Sequence, residues 1–388
     1  MGVQRTSNNN MSWLALAFMI GAMAVLNACS PKIEVPTSSA KPFTCPECDT
    51  LVCPVQESYQ DLWSTSAHAD AEAEAFTHWN EDKPQEIPVD CAKCHSRPGL
   101  VDYLGIDGTT INQVNNPAKT GTTITCYVCH NEAFEDLASV VFPSGATLRL
   151  LGPKVRCILC HQGRASTSTV DKAIAELALV DLDVPSTELE FINSHSTSAA
   201  TPFGTEVQGA YQYAGNTYKG RFNRGEDFFS CLDCHNQHSL ELKFETCGEC
   251  HAITGTDPRD IRVDTTDYDG DGDISEGIAY EISAIQETLY TTIKAYSMQI
   301  IGIPIAYDLE THPYYFIDTN NNGLIDLEEN LSDNVYNAWT PRLLRAAYNY
   351  NYLTHDPGAY AHNSDYVLQI LYDSIDNLGG DVTGMSRP

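Results

Sequence analysis

The sequence predicts a mainly α fold with a few short β-hairpins, on three observations. The C-terminal third carries long apolar stripes at helical spacing, the middle carries cysteine pairs in stretches of weak periodicity, and alternating apolar runs are few and short. At 388 residues the chain is long enough for two or three folded units. It holds 22 Lys+Arg against 52 Asp+Glu, a formal net charge of −30. No Lys/Arg cluster offers phosphates a basic face, which argues against a nucleic-acid binder. With 42% hydrophobic residues the chain buries a core unaided, so its fourteen cysteines are not needed to staple an undersized domain.

Residues 1–28 read as an export signal. One basic residue, Arg5, precedes the apolar run 13–26, and that run of about 14 residues is shorter than the roughly 20 a membrane-spanning helix needs. The segment Leu26-Asn27-Ala28-Cys29 resembles the bacterial lipobox, which implies lipidation of Cys29. Ser30 follows rather than Asp, which by the same resemblance implies sorting to the outer membrane. Residues 29–60 begin with a stretch rich in Pro, Ser and Thr and read as a flexible tether. Its Cys45, Cys48 and Cys53 are not followed by His, and a disulfide with one unpaired thiol, an incomplete metal site and an intermolecular bridge all stay open.

The ten other cysteines form five Cys-x-x-Cys-His units: Cys91-Cys94-His95, Cys126-Cys129-His130, Cys157-Cys160-His161, Cys231-Cys234-His235 and Cys247-Cys250-His251. This is the attachment signature of c-type haem. Two thiols on one helical turn each add to a vinyl group of one porphyrin, and the adjacent His falls under the iron. Paired zinc ribbons use Cys-x-x-Cys twice per metal, and would require neither a His after every pair nor an odd number of pairs. Haem ligation outside the cytoplasm agrees with the export signal.

The second axial ligand decides whether an iron shuttles electrons or binds substrate. Beyond the signal only Met298 and Met385 remain, whereas twelve histidines less the five of the motifs leave seven. These are His68, His78, His195, His238, His312, His355 and His362. His68 and His78 lie in an Ala/Glu-rich stretch that reads as helix, pointing about 80° apart. His238 is too close to His235 to reach the far side of the same haem, but is well placed to cap a neighbouring one. His362 precedes an amphipathic helix, and His195 precedes a run of small residues. His312 and His355 are followed by Pro and Asp-Pro, contexts that favour turns. His68, His78, His195, His238 and His362 are therefore the expected distal ligands. The motifs are separated by 30, 26, 69 and 11 residues, connectors short enough to force close haem packing. Within them a helix is expected over 170–180, and hairpins around Gly215-Asn216 and Pro143-Ser144-Gly145. The pentahaem region so defined spans 61–262.

Residues 263–388 contain no cysteine and read as a helical calcium-binding region packing on the haems. Asp318, Asn320, Asn322, Gly323, Leu324 and Glu329 fit EF-hand loop positions 1, 3, 5, 6, 7 and 12. A second run, Asp267, Asp269, Asp271 and Asp273, fits until position 12, where Ile278 stands; Glu276 or Glu281 is the expected substitute. A helix follows from Ile278 through Tyr296, another from the Thr340-Pro341 start through the Tyr-rich 346–350 segment, and a third carries Val367, Leu368, Leu371, Ile375 and Leu378.

Cys91-Ala92-Lys93-Cys94-His95-Ser96, Cys160-His161-Gln162-Gly163-Arg164, the acidic loop at 267–272 and Ala361-His362-Asn363 resemble those of bacterial outer-membrane multihaem c-type cytochrome lipoproteins. The resemblance covers most of the mature chain and implies His ligation on both faces of each iron. The function expected is a lipid-anchored pentahaem carrier that passes electrons from periplasmic or outer-membrane donors to an acceptor in or beyond the outer membrane. Other redox proteins are the expected partners, and one or two calcium ions the expected metals. Two rival readings are a reductase of a small oxyanion with one open iron, and a structural subunit of a haem filament.

Overall fold

Paired thiols followed by His need only a single turn of helix, and the helices of the Cys-rich half of the protein are short, from 4 to 10 residues. The computed structural model describes residues 58–388 apart from 150, 225–229, 253–254 and 256. The signal 1–28, Cys29, nearly all of the tether, and Cys45, Cys48 and Cys53 lie outside the described residues. The helices are α1 (Tyr59–Ser64), α2 (Glu74–Thr77), α3 (Val89–His95), α4 (Arg97–Tyr103), α5 (Cys126–Cys129), α6 (Ala133–Asp136), α7 (Val155–His161), α8 (Thr167–Glu176), α9 (Cys231–Cys234), α10 (Ile278–Tyr296), α11 (Pro341–Thr354) and α12 (Ala359–Asn377). Three antiparallel pairs complete the order: β1 (Glu86–Ile87) with β2 (Ala118–Lys119), β3 (Ser139–Val141) with β4 (Thr147–Arg149), and β5 (Ile305–Tyr307) with β6 (Tyr315–Ile317). Mainly α with short strand pairs is thus the observed class.

The first four motifs lie on α3, α5, α7 and α9, and the fifth on a 3₁₀ turn, Phe244–Glu249. In the second, fourth and fifth motifs the His amide donates to the carbonyl of the first Cys at 2.9 Å, closing the turn.

The three long helices supply the regular core. The Thr340 hydroxyl caps α11 by accepting from the Leu343 amide, with Pro341 at the first helical position as expected. Against α10 and α11 packs α12, whose Val367, Leu368, Ile370, Leu371 and Ile375 are buried. This core is continuous with Phe76, Leu100, Val155, Ile158 and Leu159 of the Cys-rich half, so the two expected regions share one interior.

Four local expectations need correction. The 61–80 stretch is not one helix: Asp70 Oδ1 accepts the Glu72 amide at 3.0 Å, an Asx turn that breaks the run between α1 and α2. The 170–180 helix forms three residues earlier and ends at Glu176, before the left-handed Ala178. Around Gly215-Asn216 there is a turn without strands, because phenols take the bonds a ladder would use; the Tyr218 hydroxyl accepts the Tyr213 amide at 2.9 Å. The tether ends sooner than expected, since α1 starts at Tyr59 under a Ser58 cap. The 143–145 turn does carry the β3–β4 pair, with Val140 opposite Leu148.

Polar contacts also join the halves. The Asn349 side chain, fully buried on α11, accepts the Tyr211 amide at 2.7 Å and donates to the Tyr211 carbonyl at 3.0 Å, acting as a strand partner for an otherwise unpaired residue. The Tyr348 hydroxyl donates to the Gly209 carbonyl at 2.6 Å, and Thr197 Oγ1 donates to the Tyr352 carbonyl at 2.9 Å. Asn349→Ala would strand a buried peptide, and is expected to cost about 3 kcal/mol of stability. A denaturation midpoint on the haem-loaded protein measures it, and a loss below about 1 kcal/mol would contradict this role.

Candidate haem and metal sites

An iron held between two imidazoles by bonds of about 2 Å sets the ring centres roughly 6 Å apart. Three motif histidines meet a second His at that separation. His161 and His68 have ring centroids 6.1 Å apart, and His130 and His238 6.2 Å apart with planes inclined by 12°. His95 and His195 are slightly closer, with centroids at 5.6 Å and Nε2 atoms 3.3 Å apart.

Each pair is held from behind. Carbonyl oxygens only accept, so Nδ1 of His95, 2.8 Å from the Ala75 carbonyl, carries the proton and leaves Nε2 free for a metal. His161 Nδ1 is 2.8 Å from Ser196 Oγ, and His235 Nδ1 is 3.2 Å from the Leu240 carbonyl. His195 stands in left-handed backbone (φ 61°), fixed by Asn351, whose Oδ1 accepts both the amide and the hydroxyl of Ser194. Tyr59 stacks on the outer face of His238 at 4.7 Å. The Ile124 amide donates to the His68 carbonyl at 3.2 Å, while Trp63 Nε1 donates to the Ile124 carbonyl at 2.9 Å, so His68 is tied to a residue two places before the second motif. Burial pushes His161 and His195 down to about 4, which keeps both neutral at neutral pH, as ligation requires.

His362 lies at the end of the first turn of α12, just before a break at Asn363, whose amide donates to the Thr201 and Gly220 carbonyls. Its Nδ1 is 2.7 Å from buried Asp356, the carboxylate–imidazole arrangement that orients a ligating His. Its ring bears electrostatically on the Cys231 thiol, and Arg224, which donates to the His362 carbonyl at 2.9 Å, is drawn to Cys231 and Cys234. His362 is therefore brought toward the fourth motif.

His78 is not brought to any unpaired motif. It is half-exposed, bonded to Glu74 at 2.7 Å, and sits beside Trp79, which in turn touches His95. The broken helix explains this, since the fixed angle between His68 and His78 was a property of a helix that does not form. His312 and His355 join the same neighbourhood: Tyr314 is 5.6 Å from each, and His355 is 6.5 Å from His195.

The thiols order the motifs differently from the sequence. Cys160 contacts Cys94 and Cys157 contacts Cys231, so the third motif touches both the first and the fourth. Cys129 lies near Cys157 and Cys160, with Arg156 Nε donating to the Cys129 carbonyl at 2.6 Å. Cys234 and Cys247 link the fourth to the fifth. The third motif is a junction, which the connector lengths did not reveal.

The two acidic loops share a backbone pattern. Positions 4 and 6 are left-handed in both, as Gly270 and Gly272 in one and Asn321 and Gly323 in the other. In each, the first Asp accepts two loop amides: Asp267 from Gly270 and Gly272, Asp318 from Asn322 and Gly323. Each also closes on a buried Glu. Glu329 accepts from Thr319 Oγ1, the Asn320 amide and the Asp326 amide, and Glu281 accepts from the Tyr268 and Asp269 amides. Glu281, three residues beyond the usual position, is thus the closing residue of the first loop, and it also pairs with Arg262. Carboxylate oxygens of Asp267, Asp269 and Glu281, and of Asp269, Asp271 and Glu276, lie within 4.8 Å of one another. Asp273 turns away to the Ser275 amide and hydroxyl. Asp326, at position 9 of the second loop, was not singled out; its Oδ2 accepts from the side chains of Asn320 and Asn322. The Leu324 side chain is exposed, consistent with a position that offers a metal only its carbonyl.

Over 378 aligned positions the chain is 27% identical to the C-type polyheme cytochrome OmcB of Geobacter sulfurreducens, in both strain DL-1/KN400 and strain PCA, covering 81% of this chain and 47% of OmcB. It is 26% identical to the C-type polyheme cytochrome OmcC of strain PCA, over 81% of this chain and 46% of OmcC. The homology supports a multihaem c-type cytochrome. Covalently bound c-type haem therefore accounts for the thiol pairs, and the chain spans about half the length of the curated relatives it matches. No family model matches it, and neither does any solved structure.

Burial and the neighbouring carboxylates Asp271, Glu281 and Asp267 hold Asp269 above the usual carboxylate range, and burial followed by Asp269 does the same to Glu276. A carboxyl that holds its proton more tightly when folded stabilises the fold at low pH, and that contribution disappears as pH rises through the folded value. Metal-depleted protein is accordingly expected to lose thermal stability between about pH 4 and pH 6 more steeply than its Asp269→Asn variant. Melting curves across that window check this, and parallel curves would contradict it.

Proposed function

We propose that the protein is a pentahaem electron carrier, with one haem on each Cys-x-x-Cys-His unit. The observation that carries this reading is the approach of His68, His195 and His238 to His161, His95 and His130 at the ring separation of a metal-centred pair. An iron filled on both faces exchanges electrons without binding substrate. What c-type haem supplies is a one-electron couple; what this chain supplies is spacing, ligand orientation and exclusion of water. Adjacent attachment thiols define a path from the first motif through the third and fourth to the fifth, with the second joining at the third.

The relatives bear on the wider role only through their being polyhaem c-type cytochromes. We read the chain as exported, lipidated at Cys29 and held at the outer membrane, passing electrons between donor cytochromes and an acceptor at or beyond that membrane. No described helix is long and apolar enough to cross a membrane. The two loops at 267–281 and 318–329 are read as structural calcium sites.

The haem-loaded protein is expected to contain five haems per chain by pyridine haemochrome assay, and to be oxidised rapidly by a soluble ferric chelate after reduction. Fewer than five, or reduced haem that the chelate leaves untouched, would sink the carrier reading. For the loops, calorimetry on metal-depleted protein is expected to show two calcium ions bound, with Glu329→Gln and Glu281→Gln each abolishing one. Unchanged calcium uptake in both variants would remove the assignment.

A further inference from the structure

Two successive side chains of one short segment serve two different motifs. His195 brings its Nε2 to 3.3 Å from that of His95 in the first motif, and Ser196 places its Oγ 2.8 Å from Nδ1 of His161 in the third. His95 and His235 rest on backbone carbonyls. His161 rests instead on a hydroxyl, and that hydroxyl belongs to the neighbour of the imidazole that meets His95.

The segment is fixed on both sides. Toward the third motif, the Arg164 amide donates to the Ser194 carbonyl and the Ala199 amide to the His161 carbonyl, each at 2.9 Å. The approach is close: Gly163 is left-handed (φ 81°), and a Cβ there would stand 3.2 Å from the Ser194 carbonyl oxygen. Arg164 continues to the first motif, its guanidinium donating to Cys91 Sγ at 3.9 Å. On the other side α11 holds the two residues that flank the pair, Ser194 through Asn351 Oδ1 and Thr197 through the Tyr352 carbonyl. Asn193 adds a further clamp, since its Oδ1 accepts the His195 amide at 2.9 Å and its side-chain NH₂ donates to the Tyr314 hydroxyl at 3.4 Å. Ser194 and Thr197 are both buried, so the backbone between them has little freedom to absorb a shift of either side chain.

An imidazole that gives Nε2 to a metal keeps its proton on Nδ1, and here the Ser196 oxygen is placed to accept it. Such a bond strengthens donation by the ring and favours the oxidised metal. We infer that residues 193–197 couple the first and third irons: Ser196 is a positioning residue that tunes the third through His161, and it does so from the segment whose His195 closes the first. The inference rests on the pentahaem reading and adds that these two sites are not independent. A displacement of His195 reaches the hydrogen bond behind His161, and by reciprocity the reverse holds.

Electron paramagnetic resonance and potentiometric titration of the haem-loaded chain test this. Ser196→Ala is expected to keep five low-spin haems, to move the resonance of one of them and to raise that haem's potential, while Ser196→Thr, which retains the hydroxyl, restores both. The moved resonance is expected to be the one lost in His68→Ala, which assigns it to the third motif. His195→Gly removes the imidazole and suits the left-handed backbone; it is expected to turn one haem high-spin and to move the third-motif resonance as well. Should the glycine variant lose haem, His195→Met, which keeps a ligating side chain, is held to the same shift of that resonance. Ser196→Ala with every resonance and potential unchanged, or with a shift at another motif, would overturn the role of Ser196. A third-motif resonance that stays in place when His195 is replaced would overturn the coupling and leave the carrier reading intact. Fewer than five haems in the wild-type chain, or His195→Gly with every haem still low-spin, would remove the underlying reading and the inference with it.

Discussion

Imidazoles from remote parts of the chain meet in pairs at close separation, and much of the surrounding backbone is shaped by that. His95 and His195 are 100 residues apart in sequence yet bring their Nε2 atoms to 3.3 Å. A segment that delivers an imidazole to such a position cannot also choose its own regular structure. The histidines that meet the motif imidazoles accordingly sit in turns and irregular stretches: His68 between two short helices, His195 in left-handed backbone, His238 in a tight loop bonded to Asn236. The cost of irregular backbone is the unpaired peptide groups it leaves.

Those groups are satisfied by α11. Its Asn349 and Asn351 side chains take up the peptides at Tyr211 and Ser194, and its buried tyrosines close on Gly209 and Thr201. A helix that satisfies its own backbone and offers amide side chains outward is a rigid template for loop backbone. Aromatic residues of α11 and of the segment before it belong to this template: Trp339 packs on Phe191, Tyr315 and Tyr336, and Tyr348 and Tyr352 are fully buried. This is why the Cys-rich half and the helical half share one core.

Covalent and capping chemistry was legible in the residues, and three-dimensional pairing was not. Cys-x-x-Cys-His needs only five consecutive residues, and Thr340-Pro341 only two, so each carries its meaning locally. The long helices were readable because one apolar stripe decides them. His78 was misplaced because its direction was taken from a helix that Asp70 interrupts, and a single Asx turn outweighs weak Ala/Glu propensity. Glu281 was one of two readings for the first loop; choosing it required seeing that its carboxylate accepts the Tyr268 and Asp269 amides, a contact that no spacing rule contains. The junction at the third motif was invisible for the same reason, since thiol contacts between motifs depend on how the connectors fold back.

Charge links these parts. The chain carries a net −30 before any cofactor, and five haems would add about ten propionate charges, partly offset by ferric iron. Such a molecule repels itself most strongly where carboxylates are crowded, and the Asp267–Glu281 loop is such a place, with Arg262 paired to its buried Glu281. A divalent cation there would neutralise the crowding next to α10, the helix on which α12 packs. Since α12 also carries His362, the acidic loop and that histidine lean on the same helix pair. Whatever loosens that loop would therefore be felt at His362 before it is felt at His68, His195 and His238, which other segments carry.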